Sequence, residues 1–356
     1  MITRADVTAM AHSYGFVDVR FARVGEPPHL AAFDDWIARG FAADMAYLER
    51  DRAVRADPRL AFPPARTAMV LSFPFAHRRP ARPDGLVGRV ASYAWGRDYH
   101  NLVGKRVRKL RSQLREVGCS SWGSIDTSPT LERSWAEAAG LGATGKNALR
   151  LVQGSGSWFF LAVVFLGVEL EPDVAIERDP CGSCSRCLTA CPTRAFVAPR
   201  VVDGRRCISY WTIEAAGLAP AELRPAFGDW LFGCDDCQTV CPHNGRAPTD
   251  HHPDLGPAHA WVDLPELIAQ PDAVVNERFR GTPLLRAAAR GLKRNAAIVL
   301  GNSGDDRAVP ALREVLAHPE PVVRGAAVWA LARLGAPPLA HRDTDPLVIA
   351  ELATIH

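Results

Sequence analysis

Eight of the nine cysteines in this 356-residue chain lie between Cys181 and Cys241, and their spacing limits what the chain can fold into. Cys181, Cys184, Cys187 and Cys191 form C-x2-C-x2-C-x3-C, followed by Pro192. Cys207, Cys234, Cys237 and Cys241 end in the same C-x2-C-x3-C-P pattern, with 26 residues inserted between Cys207 and Cys234. Zinc sites use four ligands in paired C-x2-C units, which two complete sets of this kind do not fit. Disulfides do not suit a chain of this size in a reducing compartment. The ninth cysteine, Cys119, reads as a buried small hydrophobe.

The spacing is that of ligands to two [4Fe–4S] clusters, as in bacterial ferredoxins. Three thiolates two residues apart can wrap one corner of a cubane on a tight loop, and the fourth is expected to open a helix and point elsewhere. In two-cluster ferredoxins that fourth cysteine serves the other cluster. The expected sets are therefore Cys181, Cys184, Cys187 and Cys241 for one cluster, and Cys191, Cys207, Cys234 and Cys237 for the other. Crossed ligation of this kind puts the clusters close together, as an electron relay requires.

The rest of the chain reads as a soluble globular protein. Hydrophobic residues make up 47% and charged residues 23%, which excludes fibrous and disordered classes. The longest apolar run, Trp158 to Val168, is about half the length of a spanning helix and reads as a buried strand. The N-terminal stretch carries Asp6 and lacks an unbroken apolar core, so it is not a secretory signal, and the expected compartment is the cytoplasm. A monomer is expected, since no interface motif stands out.

The expected fold class is α+β and multidomain. Residues 1–170 form an α/β domain, with helices over 34–51 and 102–118 and strands over 67–73 and 157–167. Residues 171–256 form a loop-rich ferredoxin-like module. Residues 257–356 are helical, and Arg294–Gly301 aligns with Arg324–Leu331 at a period of about 30 residues, which reads as HEAT-like repeats.

Gly140 to Asn147 (GLGATGKN) imitates two nucleotide-binding motifs. Both need a strand before the first glycine and a helix after the last. The preceding residues, Leu131 to Ala139, are helix formers, and Asn147 lacks the hydroxyl that a P-loop offers to Mg2+. The expected arrangement is a helix capped at Gly140, followed by a glycine turn that approaches a ligand closely.

The net charge of +3 argues for no partner by itself. Two stretches do: Lys105–Arg115 and Arg278–Arg294 each hold six cations and no acid. Either stretch alone reads first as an ordinary solvated helix face; the absence of any acid partner is what raises a phosphate-backbone reading.

Beyond the cysteines, five segments carry a specific resemblance. They are Tyr93–His100 (YAWGRDYH), Asp126–Arg133 (DTSPTLER), Ala139–Asn147 (AGLGATGKN), Arg205–Glu214 (RRCISYWTIE) and Phe232–Pro242 (FGCDDCQTVCP). Together they resemble the epoxyqueuosine reductase family over nearly the whole chain. One departure is His243, where the family usually has Trp.

The resemblance implies a cobalamin in the N-terminal domain, base-off, and a tRNA substrate carrying epoxyqueuosine at the wobble position. It also implies an external electron donor of flavodoxin or ferredoxin type. The reaction it implies is two-electron deoxygenation of the epoxide to queuosine, with Asp126 as proton donor; without that role, Asp126 reads as a helix N-cap. Lys146, Asn147, Ser209 and Asp235 are the candidate cobalamin contacts. Arg286, Arg290, Lys293 and Arg294 are the candidate tRNA-phosphate contacts. Asp250–Gly256 misses the D-x-H-x-x-G pattern of histidine-ligated cobalamin enzymes by one residue, and His252 is not expected to bind cobalt. Two competing readings remain at this point: a corrinoid reductase of a small molecule, such as a dehalogenase, and a non-catalytic ferredoxin-type carrier.

Overall fold

The apolar run near residue 160 is a strand buried on both faces. The structure, a computed structural model, describes residues 2–176, 178–338 and 340–354. Its first part runs α1 (Arg4–Ser13), β1 (Val19–Arg23), α2 (Leu30–Ala38), α3 (Arg52–Ala56), β2 (Thr67–Pro74), β3 (Val87–Val90), α4 (Tyr99–Glu116), β4 (Ser121–Ser124), α5 (Glu132–Ala138), the hairpin β5 (Ala143–Thr144) and β6 (Arg150–Leu151), and β7 (Phe159–Leu166). The order β1-β2-β7-β4 makes one wholly antiparallel sheet. Period-two alternation sends Met69, Leu71, Phe73, Ala162, Val164 and Leu166 to a core shared with α1 and α4. Ala68, Val70, Val163 and Phe165 face the opposite way, onto Trp135 and Ala136 of α5. With both faces covered, the strands need no polar alternation, which is why they read as unbroken apolar runs.

The cysteine region carries α6 (Arg186–Ala190), the hairpin β8 (Phe196–Ala198) and β9 (Val201–Val202), α7 (Ile208–Ile213), β10 (Trp230–Phe232), α8 (Asp236–Thr239) and β11 (Trp261–Asp263). The chain then forms α9 (Leu264–Ala269), α10 (Asp272–Arg278), α11 (Ala288–Asn302), α12 (Val309–Glu314), α13 (Pro321–Arg333) and α14 (Pro346–Ala353). The expected repeat is α11 packed on α13, with α12 between them in sequence. Ala296, Ala297, Ala326, Ala327 and Ala330 are fully buried, and small residues here let the helices approach closely.

Three expectations are corrected. The helix expected over 34–51 stops at Ala38, because Gly40 adopts a left-handed φ of 68° and Ala43 one of 53°. The broken segment docks on the cysteine region instead: Trp36 Nε1 donates to the Val202 carbonyl at 2.6 Å, Gly204 N to the Phe41 carbonyl at 2.9 Å, and the Tyr210 hydroxyl to Asp44. Second, the short helices α6 and α8 precede the fourth cysteines rather than following them. Cys187 and Cys237 lie on these helices, and Cys191 ends the first. Third, the expected boundaries do not separate independent cores. β3, from the N-terminal part, is the middle strand of a second sheet ordered β10-β3-β11. Leu86, Val90 and Trp95 are buried in one core with α7, β10, α11 and α13.

The α11–α13 contact can be tested at Gly301, where a Cβ would stand 2.7 Å from the Ala330 Cα. Gly301→Val is expected to force the helices apart at a cost of about 1–3 kcal/mol, lowering the thermal midpoint of the cluster-loaded protein. Gly217→Ala, with nothing within 4 Å, should leave the midpoint unchanged.

Candidate active site beside two thiol sets

The eight clustered thiols gather as two groups. Cys187 feels the charges of Cys181 and Cys241, and Cys241 those of Cys181 and Cys184. Cys207 feels Cys191, Cys234 feels Cys207 and Cys237, and Cys237 feels Cys207 and Cys191. Cys237 also feels Cys187, so the groups are neighbours. The helices α6 and α8, which carry Cys187 and Cys237, pack against each other. Burial pushes the Cys187, Cys207, Cys234, Cys237 and Cys241 thiols up, and the adjacent thiols push in the same direction. Thiols crowded in this way lose their protons only to a cation that replaces them. Among the described residues no three His, Cys, Asp or Glu side chains close around a single ion. An iron–sulfur cage spreads its ligands over a wider shell than one zinc does.

Backbone N–H groups already point at the sulfurs. Lys146 N lies 3.3 Å from Cys181 Sγ, and Ala195 N lies 3.3 Å from Cys191 Sγ. The N–H groups of Ser209 and Tyr210, with the Ser209 hydroxyl, serve Cys207, and those of His243 and Asn244 serve Cys241. The His243 ring meets the Pro180 carbonyl at 3.0 Å through Nε2, tying down the loop that enters at Cys181.

Beside the second set, the charges of Tyr47, Asp126, Glu214 and Arg286 reach one another, and we read the space between these three parts of the chain as a cleft. Asp98 caps α4, accepting from His100 N at 2.9 Å, and so presents Tyr99 and His100 at the helix start. The Tyr99 ring stacks on Phe160 with centroids 4.3 Å apart, and its hydroxyl donates to Asp126. His100 Nε2 lies 3.6 Å from the same Asp126 oxygen, and its Nδ1 lies 2.9 Å from Asp98. Burial pulls His100 down, but its bonds to Asp126 and Asp98 outweigh that and lift it to about 9. Asp126 follows β4 with a left-handed φ of 51° and does not cap α5, whose N-cap is Leu131.

Deeper in the cleft, Glu132 and Arg133 keep contact with solvent although protein crowds around them. Burial, and then the Asp126 charge, raise Glu132 to about 8, while burial lowers Arg133. Arg55 donates to the Tyr47 and Thr130 carbonyls, and its Nε has no partner among the described residues. The cysteine region adds Glu214 and the helical region adds Arg286, which pair at 2.7 Å beside the Tyr47 ring. Burial and Glu214 push Tyr47 up to about 12.

Several candidate residues sit elsewhere than expected. Lys146 and Asn147 lie on the β5–β6 turn, so no helix follows the glycines and the nucleotide motifs are absent there. Lys146 Nζ is held by the Gly182 carbonyl at 2.7 Å, and Asn147 Nδ2 by the Cys237 carbonyl at 3.2 Å; like Ser209, both serve the thiol loops. Asp235 is 3% exposed, accepting from the Ser92 N–H and hydroxyl and pairing with Arg79, which leaves little of it to meet a cofactor. Two of the four phosphate candidates are corrected because they are buried. Lys293 pairs with Asp272 at 2.7 Å, and Arg294 donates to the carbonyls of Trp211, Ala215 and Gly217. Arg286 is exposed but paired, and Arg290 is exposed. His252 is engaged by Arg106 Nη2 at 2.8 Å and by Asp254 N at 3.3 Å. Tyr99, His100 and Glu132 fall within the resembling segments, yet spacing alone gave them no role; the pairing of Tyr99 and His100 with Asp126 exists only in three dimensions.

The fold and the thiol sets define an iron–sulfur oxidoreductase with a helical-repeat tail. Residues 180–244 match a 4Fe–4S double cluster binding domain, residues 282–353 match HEAT repeats, and residues 55–127 match the model described as epoxyqueuosine reductase QueG, DUF1730. The chain is 38% identical to the epoxyqueuosine reductase of Pseudomonas aeruginosa over 90% of its own length and 91% of that protein. It is 37% identical to that of Gloeobacter violaceus over 86% of its length and 98% of the relative. An epoxyqueuosine reductase crystallised with an epoxyqueuosine-modified tRNA-Tyr stem loop superposes with a TM-score of 0.93 at 29% identity, covering 99% of this chain and 97% of the other. A Bacillus subtilis epoxyqueuosine reductase, solved with its catalytic loop swung out of the active site, superposes with a TM-score of 0.90 at 29% identity, covering 99% and 97%. The chain belongs to the epoxyqueuosine reductase family.

Iron content tests how the thiols are shared. Under crossed ligation, Cys181→Ser with Cys241→Ser strikes one cluster and should leave about half the iron. Cys181→Ser with Cys191→Ser strikes both and should leave far less. Sequential ligation reverses the two results.

Proposed function

We propose that this protein deoxygenates epoxyqueuosine to queuosine at the wobble position of tRNA, with Asp126 donating a proton to the departing oxygen. The observation that carries this is Asp126 itself: free of any capping duty, engaged by Tyr99 and His100, and facing a cleft that borders a thiol set. Tyr93 makes that border. It is half-buried, edge-on to Tyr99, and it lies close to Gly233, next to Cys234.

The cleft suits a cobalamin. Tyr93 and Tyr99 offer aromatic walls to the corrin, and the unpartnered Arg55 Nε and Arg133 offer donors to its amide-bearing edge. His252 is engaged by Arg106 and Asp254, so it would not serve as a cobalt ligand to a bound cobalamin. When bound, the clusters and cobalamin supply low-potential electrons at the cleft. The chain's own residues do the remainder. Aromatic walls limit water, Tyr99 and His100 hold the Asp126 carboxyl, and Asp126 delivers a proton as the C–O bond opens. Electrons from a flavodoxin- or ferredoxin-type donor would enter at the Cys181–Cys187 loop, where Gly182, Ser183, Ser185 and Arg186 are exposed.

The tRNA surface we propose is mainly α4. Leu102, Val103, Val107, Leu110 and Leu114 are buried, while Lys105, Arg108, Lys109 and Arg115 are exposed, with no carboxylate partner among the described residues. Arg106 and Arg111 turn inward to backbone carbonyls. Arg290, exposed on α11, is kept as a further phosphate contact. The chain is read as a cytoplasmic monomer; no helix among the described residues is long and apolar enough to cross a membrane.

The test is anaerobic reconstitution with iron, sulfide and cobalamin, incubation with epoxyqueuosine-tRNA and a reductant, and mass spectrometry of the nucleosides. Loss of one oxygen from the modified base is expected; no change with all cofactors loaded would overturn the reading in favour of another corrinoid reductase. Asp126→Asn should lower turnover by about 10^2 to 10^4 while retaining the clusters. Replacing Lys105, Arg108, Lys109 and Arg115 by Ala should flatten the log–log salt dependence of tRNA binding by about 3. Arg294→Ala should leave that slope unchanged and cost stability instead, by stranding buried carbonyls.

A further inference from the structure

Removing an epoxide oxygen as water consumes two electrons and two protons. The first C–O cleavage leaves the electron pair on oxygen, which takes one proton to become a hydroxyl. The second expels that hydroxyl, which takes the other proton and leaves as water, and the two carbons become doubly bonded. Asp126 carries one proton at a time. In the open cleft its Oδ2 faces two donors, the Tyr99 hydroxyl and His100 Nε2 at 3.6 Å.

We propose that the resting enzyme stores its proton on His100 and passes it to Asp126, which delivers it to the epoxide oxygen. This rests on the reading of Asp126 as the proton donor. The groups facing His100 are Asp98 and Tyr99 on its own helix and Asp126 on the loop after β4. Asp98, 2.9 Å from Nδ1, steadies the imidazolium from behind and leaves Nε2 aimed at Asp126. The Asp126 charge in turn reaches Glu132, Arg133 and Arg55. His100 lifted to about 9 is charged at neutral pH. When substrate closes the cleft, desolvation disfavours the separated charges, and the proton moves from imidazolium to carboxylate, turning the ion pair into a neutral pair. The His100 side chain is 37% exposed, so it reloads from water for the second proton. His100 is thus a positioning and relay residue, acting through Asp126.

The sign of the pH dependence follows. His100 is raised, so its proton is present at neutral pH and lost as pH climbs through about 9. In 15N-histidine-labelled holoenzyme with oxidised clusters, the resonance missing from His100→Gln identifies the residue. It should titrate well above 6.5 in wild type and lower in Asp126→Asn. Titration at the ordinary value, or no response to Asp126→Asn, overturns the proposal.

In single-turnover deoxygenation of an epoxyqueuosine stem loop, His100→Gln should slow the rate by about 10^2 or more and abolish the alkaline fall. KM should be unchanged, and added imidazole should partly restore His100→Ala. Wild-type rates for His100→Gln across roughly pH 6 to 9, beside an inactive Asp126→Asn, would sink the relay and leave the donor standing. Full activity in Asp126→Asn would remove both.

Discussion

The return of Cys241 to the first thiol group is the constraint on which the rest of the structure depends. Cys241 stands with Cys181 and Cys184, sixty residues back, while Cys191 stands with Cys207. A chain that crosses itself in this way needs a scaffold for the excursion between the two sets. That excursion contains α7 and β10, whose residues pack into the core shared with α11 and α13. The helical repeats are therefore part of what holds the second thiol set, and the buried Arg294, bonded to three carbonyls after α7 begins, fastens the two together.

The same crossing places chemistry at a junction. The second thiol set borders Tyr93, Tyr93 borders Tyr99, and Tyr99 holds Asp126. A path from sulfur to carboxyl runs over adjacent aromatic rings. Asp235 joins this junction from behind: beside Cys234, it binds Ser92 and Arg79. It ties a ligand loop to the segment that carries Tyr93. Its value lies in that tether, and a role at the corrin face is not needed to explain it.

Much of this was legible in the sequence. The thiol spacing implied two sets, the apolar runs gave β2 and β7, and the alanine-rich repeat gave α11 and α13. Gly140 ends α5 as expected. The misses have physical causes. Helix propensity across 34–51 was overridden by left-handed turns at Gly40 and Ala43 that serve contacts with residues 202–210. Net charge along Arg278–Arg294 could not distinguish cations facing water from cations satisfying buried carbonyls, and Lys293 and Arg294 proved to be of the second kind. His100 lies within Tyr93–His100, and its role is not legible there because a partner 26 residues away, on another element, cannot be read from local spacing.

The placement of β3 bears on how the protein is made. Its strand, complete by residue 90, is flanked by β10 and β11, which end at residues 232 and 263. A ribosome releases the middle strand long before either neighbour exists. Until then Leu86, Val90 and Trp95 have no core to enter, and the exposed strand is open to mispairing. Such long-range pairing is slow to form, and the second thiol set gains its walls only after it. The surroundings of the second thiol set therefore depend on the long-range pairing of one four-residue strand.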